Sequence, residues 1–272
     1  SIARYTAEDD CAGLAEKDRL ARDYPQLALY FPWQLSVEQA IELAKECEQS
    51  GFAADPKITN SEGATVSTSE SQFIYANSLD FMGGYPVSRH SVSCALIAEH
   101  NESKQRDYWY SVARDAVDLE SAQEIGRKTG LRSAARLGAR KIATCEVPVI
   151  FEAPIASSLI GHFASAISGG SLYRKSSFLL DSIGEQVFAP DIQILDLPYL
   201  PKGLGSGPFD EDGVATMERK IVENGIVQGY FLGSYSARKL KMDTTGNAGG
   251  AHNLIIQSAN TLDVPALLKK LH

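Results

Sequence analysis

The sequence predicts an α+β protein: an antiparallel sheet with helices in its first half, and a mixed β-rich, barrel-like second domain with a central helix. Three patterns predict it. Residues 57–113 run at period two with Thr, Ser, Val, Tyr and Phe dominant, residues 120–137 then turn helical, and Asn224-Gly225 sits between two β-branched runs. Strands followed by segregated helices make an α+β arrangement, whereas a parallel sheet needs helices alternating with strands. At 272 residues the chain exceeds the usual single domain, so one large or two smaller domains are expected, the latter taken as 1–140 and 141–272.

Taken in order, residues 6–9 can open a short helix, and the rest up to Pro32 is mixed in period and irregular. Ser36 and Gln39 form a capping box, and Ala40, Ile41, Leu43, Ala44 and Cys47 make one apolar helical face. Gly51 offers the left-handed stop. Strands are expected at 64–70, 72–78, 92–98 and 107–112, with turns at 60–61, 83–84 and 100–103. Ser and Thr on one face, with Phe73, Ile74 and Tyr75 nearby, suggest a sheet covered on one side by the capped helix. The helix over 120–137 is interrupted at Gly130, and Arg132, Arg136, Arg140 and Lys141 read as its solvated face.

The second half is arranged around residues 147–178. Val147, Val149 and Phe151 alternate as a half-buried strand does. Leu159, Ile160, Phe163, Ala166 and Ile167 then give an apolar stripe on a helix over 155–168, expected to be largely buried and to stop at Gly169-Gly170. A strand at 189–197 precedes a long loop, 198–213, carrying Gly203, Gly205, Gly207 and Gly213. Its GxGxG opens no helix, so it is no dinucleotide fingerprint. Asn224-Gly225 predicts a type I′ hairpin over 220–230, because both residues tolerate the positive φ that the turn demands. A short basic helix at 234–241, a glycine turn at 246–250 and a strand at 253–257 complete the pattern.

Composition narrows the function. With 26 Lys and Arg against 34 Asp and Glu the net charge is −8, which disfavours direct nucleic-acid binding, since that needs clustered positive charge. The longest uncharged run, 147–170 apart from Glu152, contains Pro154 and His162 and reads as a core segment, with no membrane span. Cys11, Cys47, Cys94 and Cys145 form no CxxC pair. Scattered reduced thiols fit a cytoplasmic protein, and Cys145 fits a core strand.

A zinc-peptidase helix needs two imidazoles about one turn apart with a carboxylate between them. The central helix has one His, His162, and no Asp or Glu from 153 to 170. The residues from Gly169 to Ser176 end in Lys-Ser, yet Arg174 stands where a phosphate loop needs Gly. No GxSxG elbow occurs. The sequence therefore offers no catalytic residue and no metal ligand set. Candidate binding residues are Arg174 and Lys175, two cations after a glycine pair that can anchor an anionic terminus or a partner carboxylate. His162 is a helix histidine making a local hydrogen bond or facing a cavity. His252, after the glycine turn, can pair with a carboxylate such as Asp210 or Glu211.

Three stretches, IGHFASAISGGSLYRKSSFLLDSIG, FDEDGVATMERKIVENGIVQGYFLGSYSARKL and TTGNAGGAHN, resemble the TldD/PmbA family, on its PmbA (TldE) branch, with this chain similar to the central part of longer members. The resemblance implies that residues up to about 140 belong to the family's N-terminal domain and the rest to its C-terminal, β-rich, metallopeptidase-like domain. In the TldD branch the same helix carries HExxxH. Aligning Arg174-Lys175 puts Gly161, His162 and Ala166 at its His, Glu and second His positions. The resemblance further implies a cytoplasmic complex in which a TldD-like subunit supplies zinc, with no cofactor in this chain. The pair would act on unfolded peptides, such as microcin leaders, and the chain alone could form a homodimer, its oligomeric state being left open by the sequence. The alternative it implies is a regulatory protein that modulates DNA gyrase without peptidase involvement.

Overall fold

A computed structural model of the chain describes residues 2–271. They form two compact units that interleave along the chain. One comprises Ala28–Phe73 and Tyr85–Cys145; the other takes the residues up to Leu27, Ile74–Gly84 and those from Glu146 onward.

In the first of these, helix α1 spans Val37–Ala54. Ser36 Oγ accepts the Gln39 N–H at 3.2 Å and Gln39 Oε1 accepts the Ser36 N–H at 2.9 Å, the reciprocal pair that the capping box predicts. Strands β1 (Ile58–Asn77), β2 (Phe81–His100) and β3 (Ser103–Ala113) form a sheet in the order β1-β2-β3. Two expected strands are thus one, and the expected turns at 60–61 and 83–84 lie inside strands. Local bonds absorb the polar residues there: Asn60 Oδ1 accepts the Ser61 N–H, and Ser61 Oγ the Gly63 N–H. The turn at 100–103 is present, with Asn101 and Glu102 at φ of 47° and 63°.

Helix α2 (Ala122–Ala135) runs straight through Gly130. Its glycines serve packing: a Cβ at Gly126 would collide with the Cys47 carbonyl, one at Gly130 with the Gly51 carbonyl, and one at Gly51 with Leu96. Gly51 is therefore no stop signal. It is a point where α1 packs closely against Leu96 and the Gly126 backbone. Cys47, Ile58, Val92, Cys94, Leu96, Ala98, Ala122 and Ile125 fill the core beneath. Arg132 and Arg136 are not merely solvated. Both approach the buried Asp107, at 3.3 and 3.6 Å.

In the other unit, α3 (Ala153–Ala166), α4 (Gly169–Tyr173), α5 (Ser234–Leu240) and α6 (Val264–Lys269) accompany strands β4 (Ile192–Asp196), β5 (Arg219–Glu223), β6 (Ile226–Val227) and β7 (Leu254–Ser258). The strands pair antiparallel in the order β6-β5-β4-β7. Among the described residues this is an open sheet with two edges. Its core gathers Phe163, Ala166, Ile167, Leu172, Ile194, Ile221, Val222, Val227, Phe231 and Leu232.

Three expectations fail here. Residues 147–151 form no strand, because no neighbour among the described residues supplies a ladder; Val147, Val149 and Phe151 are exposed, as is Cys145. Helix α3 is not largely buried either. Within it only Phe163 and Ala166 are buried, and Ile155 and Leu159 face outward. The stripe reads as one continuous face in the sequence, but only its last turns meet the core. Nor do Gly169 and Gly170 merely end a helix. Ser168 accepts the Ser171 N–H and caps α4, which begins at Gly169.

The hairpin is built as predicted: two residues join β5 to β6, Asn224 at φ 52° and Gly225 at φ 79°. A Cβ on Gly225 would also collide with the Phe188 carbonyl. Asn224→Val is therefore expected to destabilise by on the order of 1 kcal/mol or more, with Gly225→Val costing more still. Chemical denaturation of both variants checks this; an unchanged midpoint for Gly225→Val would refute the turn assignment.

Candidate functional site

The β-rich unit is organised by a buried polar network. Asp196, at the end of β4, is fully buried, and an isolated carboxylate there would be costly. Three donors satisfy it: the His252 backbone N–H to Oδ1 at 2.8 Å, and the Asn247 amide and His252 Nδ1 to Oδ2 at 2.9 and 3.0 Å. Facing a carboxylate, Nδ1 is the protonated ring nitrogen. Asn247 Oδ1 in turn accepts from Arg219 Nη1 at 3.0 Å and Thr245 Oγ1 at 2.8 Å. Burial pulls the Arg219 guanidinium below its ordinary value, and the Asp196 charge opposes that pull.

Asn247 also donates to the Gly250 carbonyl at 3.1 Å, and this fixes the glycine turn. Gly246, Gly249 and Gly250 take φ of 68°, 97° and 118°, conformations that a side chain would strain. Opposite the turn lie residues 210–212. Asp210 is buried; its Oδ1 accepts the N–H groups of Asp212 and Val214, and its Oδ2 that of Ala248, all at 2.9 Å. Burial outweighs these donors and lifts its pKa to about 6. Asp212 Oδ2 accepts the Ser234 N–H at 2.9 Å, at the start of α5.

These parts enclose a cleft of about 440 Å³. Ser168, Gly169, Gly170 and Tyr173 form one wall, Asp212, Phe231, Gly233, Tyr235 and Ser236 another, and residues 247–250 the third. Tyr173 and Tyr235 meet edge to face, ring centroids 5.7 Å apart. Asp212 is the one charged residue in the lining. Every lining residue falls within one of the three sequence stretches quoted above, so segments far apart in the chain close on a single space.

The predicted site residues are placed unequally. His252 does pair with a carboxylate, but with Asp196 and not with Asp210 or Glu211: Asp210 is turned to backbone N–H groups and Glu211 is exposed. Arg174 stands beside the cleft wall, its guanidinium 5.3 Å from the Tyr173 ring centre and Nη1 donating to the Tyr173 hydroxyl at 3.2 Å. Lys175, at φ 55°, closes α4 by donating its N–H to the Leu172 carbonyl. His162 is exposed on α3, where no described residue bonds its ring, and it does not line the cleft. The structure does not bring it into the network of His252. Sequence reasoning does not single out Asp196, Asn247, Asp212 or Tyr235; the available clue to the last three is their place within the quoted stretches.

A zinc ion takes three or four protein ligands. Gly161, exposed His162 and buried Ala166 supply one imidazole, and among the described residues no three His, Cys, Asp or Glu side chains are grouped to hold a metal. The donor set of α3 does not fit the ion.

Fold and site thus define an α+β protein whose β-rich unit carries an open, glycine-walled cleft. The sequence matches the PmbA/TldA metallopeptidase central domain over residues 30–137 and the PmbA/TldA metallopeptidase C-terminal domain over residues 144–272. It is 44% identical to the metalloprotease PmbA homolog of Haemophilus influenzae over 271 residues, 100% of this chain and 60% of that one. Against the metalloprotease TldD homolog of the same organism the identity is 26% over 226 residues, 78% of this chain and 46% of that one. The crystal structure of a proposed modulator of DNA gyrase from Bacteroides thetaiotaomicron is similar at a TM-score of 0.90 and 26% identity, covering 98% of this chain and 61% of that one. The chain belongs to the PmbA/TldD family, on its PmbA branch. It spans about 60% of the length of the PmbA relative.

Asp210 generates a prediction about stability. Its folded pKa lies above the ordinary carboxylate value, so the folded state holds the proton more tightly than the unfolded chain. Its stabilising contribution is complete below about pH 4 and is lost as pH rises through about 6, an effect of up to about 3 kcal/mol. Denaturation midpoints between pH 7 and pH 4.5 should contain a component that grows on acidification and is missing in Asp210→Asn. A component of opposite sign would mean that the three N–H donors outweigh burial.

Proposed function

We propose that this chain works in a PmbA/TldD-type metallopeptidase as the subunit that holds peptide while a TldD-like partner carries the zinc. The observation that supports this most is the cleft itself: three separated stretches that carry the family resemblance converge on it, and at Gly250 nothing lies within 4 Å of where a side chain would be, which leaves the main chain there open to a ligand. An extended peptide offers the same groups at regular spacing, so main-chain hydrogen bonds can hold it with little regard to sequence. The chain leaves the glycine turn directly into β7, whose outer edge carries no strand among the described residues and can accept a further one. Unfolded peptides, leader segments among them, suit such a site because a folded protein has no free strand to offer.

The zinc and its chemistry, polarising the scissile carbonyl and activating water, belong in this reading to the partner. This chain's part is to bind, orient and shield. No helix among the described residues is long and apolar enough to cross a membrane, and the four thiols are free, which suits the reducing cytoplasm. A second reading, regulation of a gyrase-related protein without peptidase activity, draws support from the similarity to the Bacteroides thetaiotaomicron structure.

Purification of the chain alone and co-expressed with a TldD-like subunit separates the two. Elemental analysis should find stoichiometric zinc only in the co-purified pair, and only the pair should cleave an unfolded peptide, with cleavage abolished by chelation. About one equivalent of zinc retained by the chain alone would overturn the assignment of the metal to the partner. Failure to co-purify with any TldD-like subunit would favour the regulatory reading.

A further inference from the structure

The cleft has a charge that its role as a peptide holder does not by itself require. Twelve of its thirteen lining residues are uncharged, and the remaining one is Asp212. Its position is fixed from both ends: the backbone N–H donates to Asp210, and Oδ2 takes the Ser234 N–H. Oδ1 has no donor among the described residues. The carboxylate is only partly exposed, so its charge is less screened than one on an open surface. It shares the lining with the Tyr173–Tyr235 pair and with Phe231. A carboxylate with an unclaimed oxygen in a partly enclosed cleft is the chemistry that recognises an organic cation, by ion pairing.

Two cations already lie against the rings, Arg174 5.3 Å from the Tyr173 ring centre and Lys239 5.3 Å from that of Tyr235, so it is the carboxylate and not a free aromatic face that the cleft offers a cation. Arg174 donates to the Tyr173 hydroxyl. Lys239 is paired with Asp9 at 2.8 Å, and Tyr235 donates to the same carboxylate at 2.6 Å. Arg219 donates to the Tyr230 carbonyl and to Asn247. Each of these cations is thus directed at a group other than Asp212. Glycine at 250 keeps the approach clear, since nothing lies within 4 Å of where its Cβ would be.

We infer that Asp212 makes the cleft selective for peptides that present a positively charged nitrogen, either a free amino terminus or a Lys or Arg side chain. The inference rests on the peptide-holding reading above and adds to it the charge of the ligand. Both sources share one chemistry, a cation of peptide size, and the test distinguishes them.

Binding of fluorescent ten-residue unstructured peptides to the purified chain, and to its complex with a TldD-like subunit, tests the inference. One peptide is N-acetylated and uncharged, one has a free amino terminus, one is acetylated with a central Lys, and one is acetylated with a central Glu. Either cationic peptide is expected to bind about tenfold more tightly than the uncharged one, and the Glu peptide more weakly than it. Whichever cationic peptide gains names the source. Asp212→Asn, which keeps an acceptor for the Ser234 N–H, should bring the ratio of cationic to uncharged peptide affinity down to about one. Because acetylation alters only the ligand, the comparison holds even if the variant folds poorly. Equal binding of all four peptides would overturn the inference while leaving the peptide-holding reading intact. Binding of none, by the chain or by the complex, would overturn both.

Discussion

The β-rich unit depends on one buried carboxylate being fully matched by donors. Asp196 ends β4, and its two oxygens draw together the backbone and ring of His252 and the amide of Asn247, residues more than fifty positions away. Removing any one donor would leave a charge in the core with a lone pair unmet, and the penalty for that exceeds what an average hydrogen bond contributes. The network therefore does more than stabilise. It specifies where the turn at 246–250 must sit relative to β4, and through Arg219 it ties β5 to the same point. The glycine wall of the cleft is a consequence of that placement.

Glycine is used in two different ways in the two units. In the helical unit Gly51, Gly126 and Gly130 remove side chains so that backbones can touch, and their φ values are ordinary. In the β-rich unit Gly249 and Gly250 supply positive φ, and Gly250 also leaves empty space. The first use produces density and the second produces access. A helix with two glycines on one face is weak by propensity, so α2 owes its stability to packing on α1 rather than to its own sequence.

Local signals are legible in this sequence and distant ones are not. The capping box at Ser36 and the hairpin at Asn224-Gly225 are decided by residues within four positions, and both form. Val147, Val149 and Phe151 alternate as a strand does, yet alternation states only what a segment can do if a ladder is offered, and none is offered among the described residues. Gly51 and Gly130 look like punctuation because a one-dimensional pattern cannot distinguish a glycine that ends a helix from one that lets a neighbour in. His252 finds a carboxylate as its setting suggests, but the choice of Asp196 is set by the β4–β7 register, which pairs Asp196 with Leu254 two residues beyond the histidine. No pattern near His252 carries that register.

The cleft and the helix that precedes it are separable, and this bears on how the fold tolerates change along that helix. None of residues 161, 162 and 166 lines the cleft, so these positions can change without altering its walls. They are not equivalent to one another. A Cβ at Gly161 meets nothing within 4 Å and His162 is exposed, so either could take a larger or charged side chain at little steric cost. Ala166 lies in the core with Phe163, Ile167 and Leu172, where an imidazole would be both too large and without a partner. A metal-binding histidine at that position requires the neighbouring core to open around it. The obstacle to a metal-binding triad on this helix therefore lies less in the exposed positions 161 and 162 than in the packing beneath its last turn, which a change of ligands alone would not reverse.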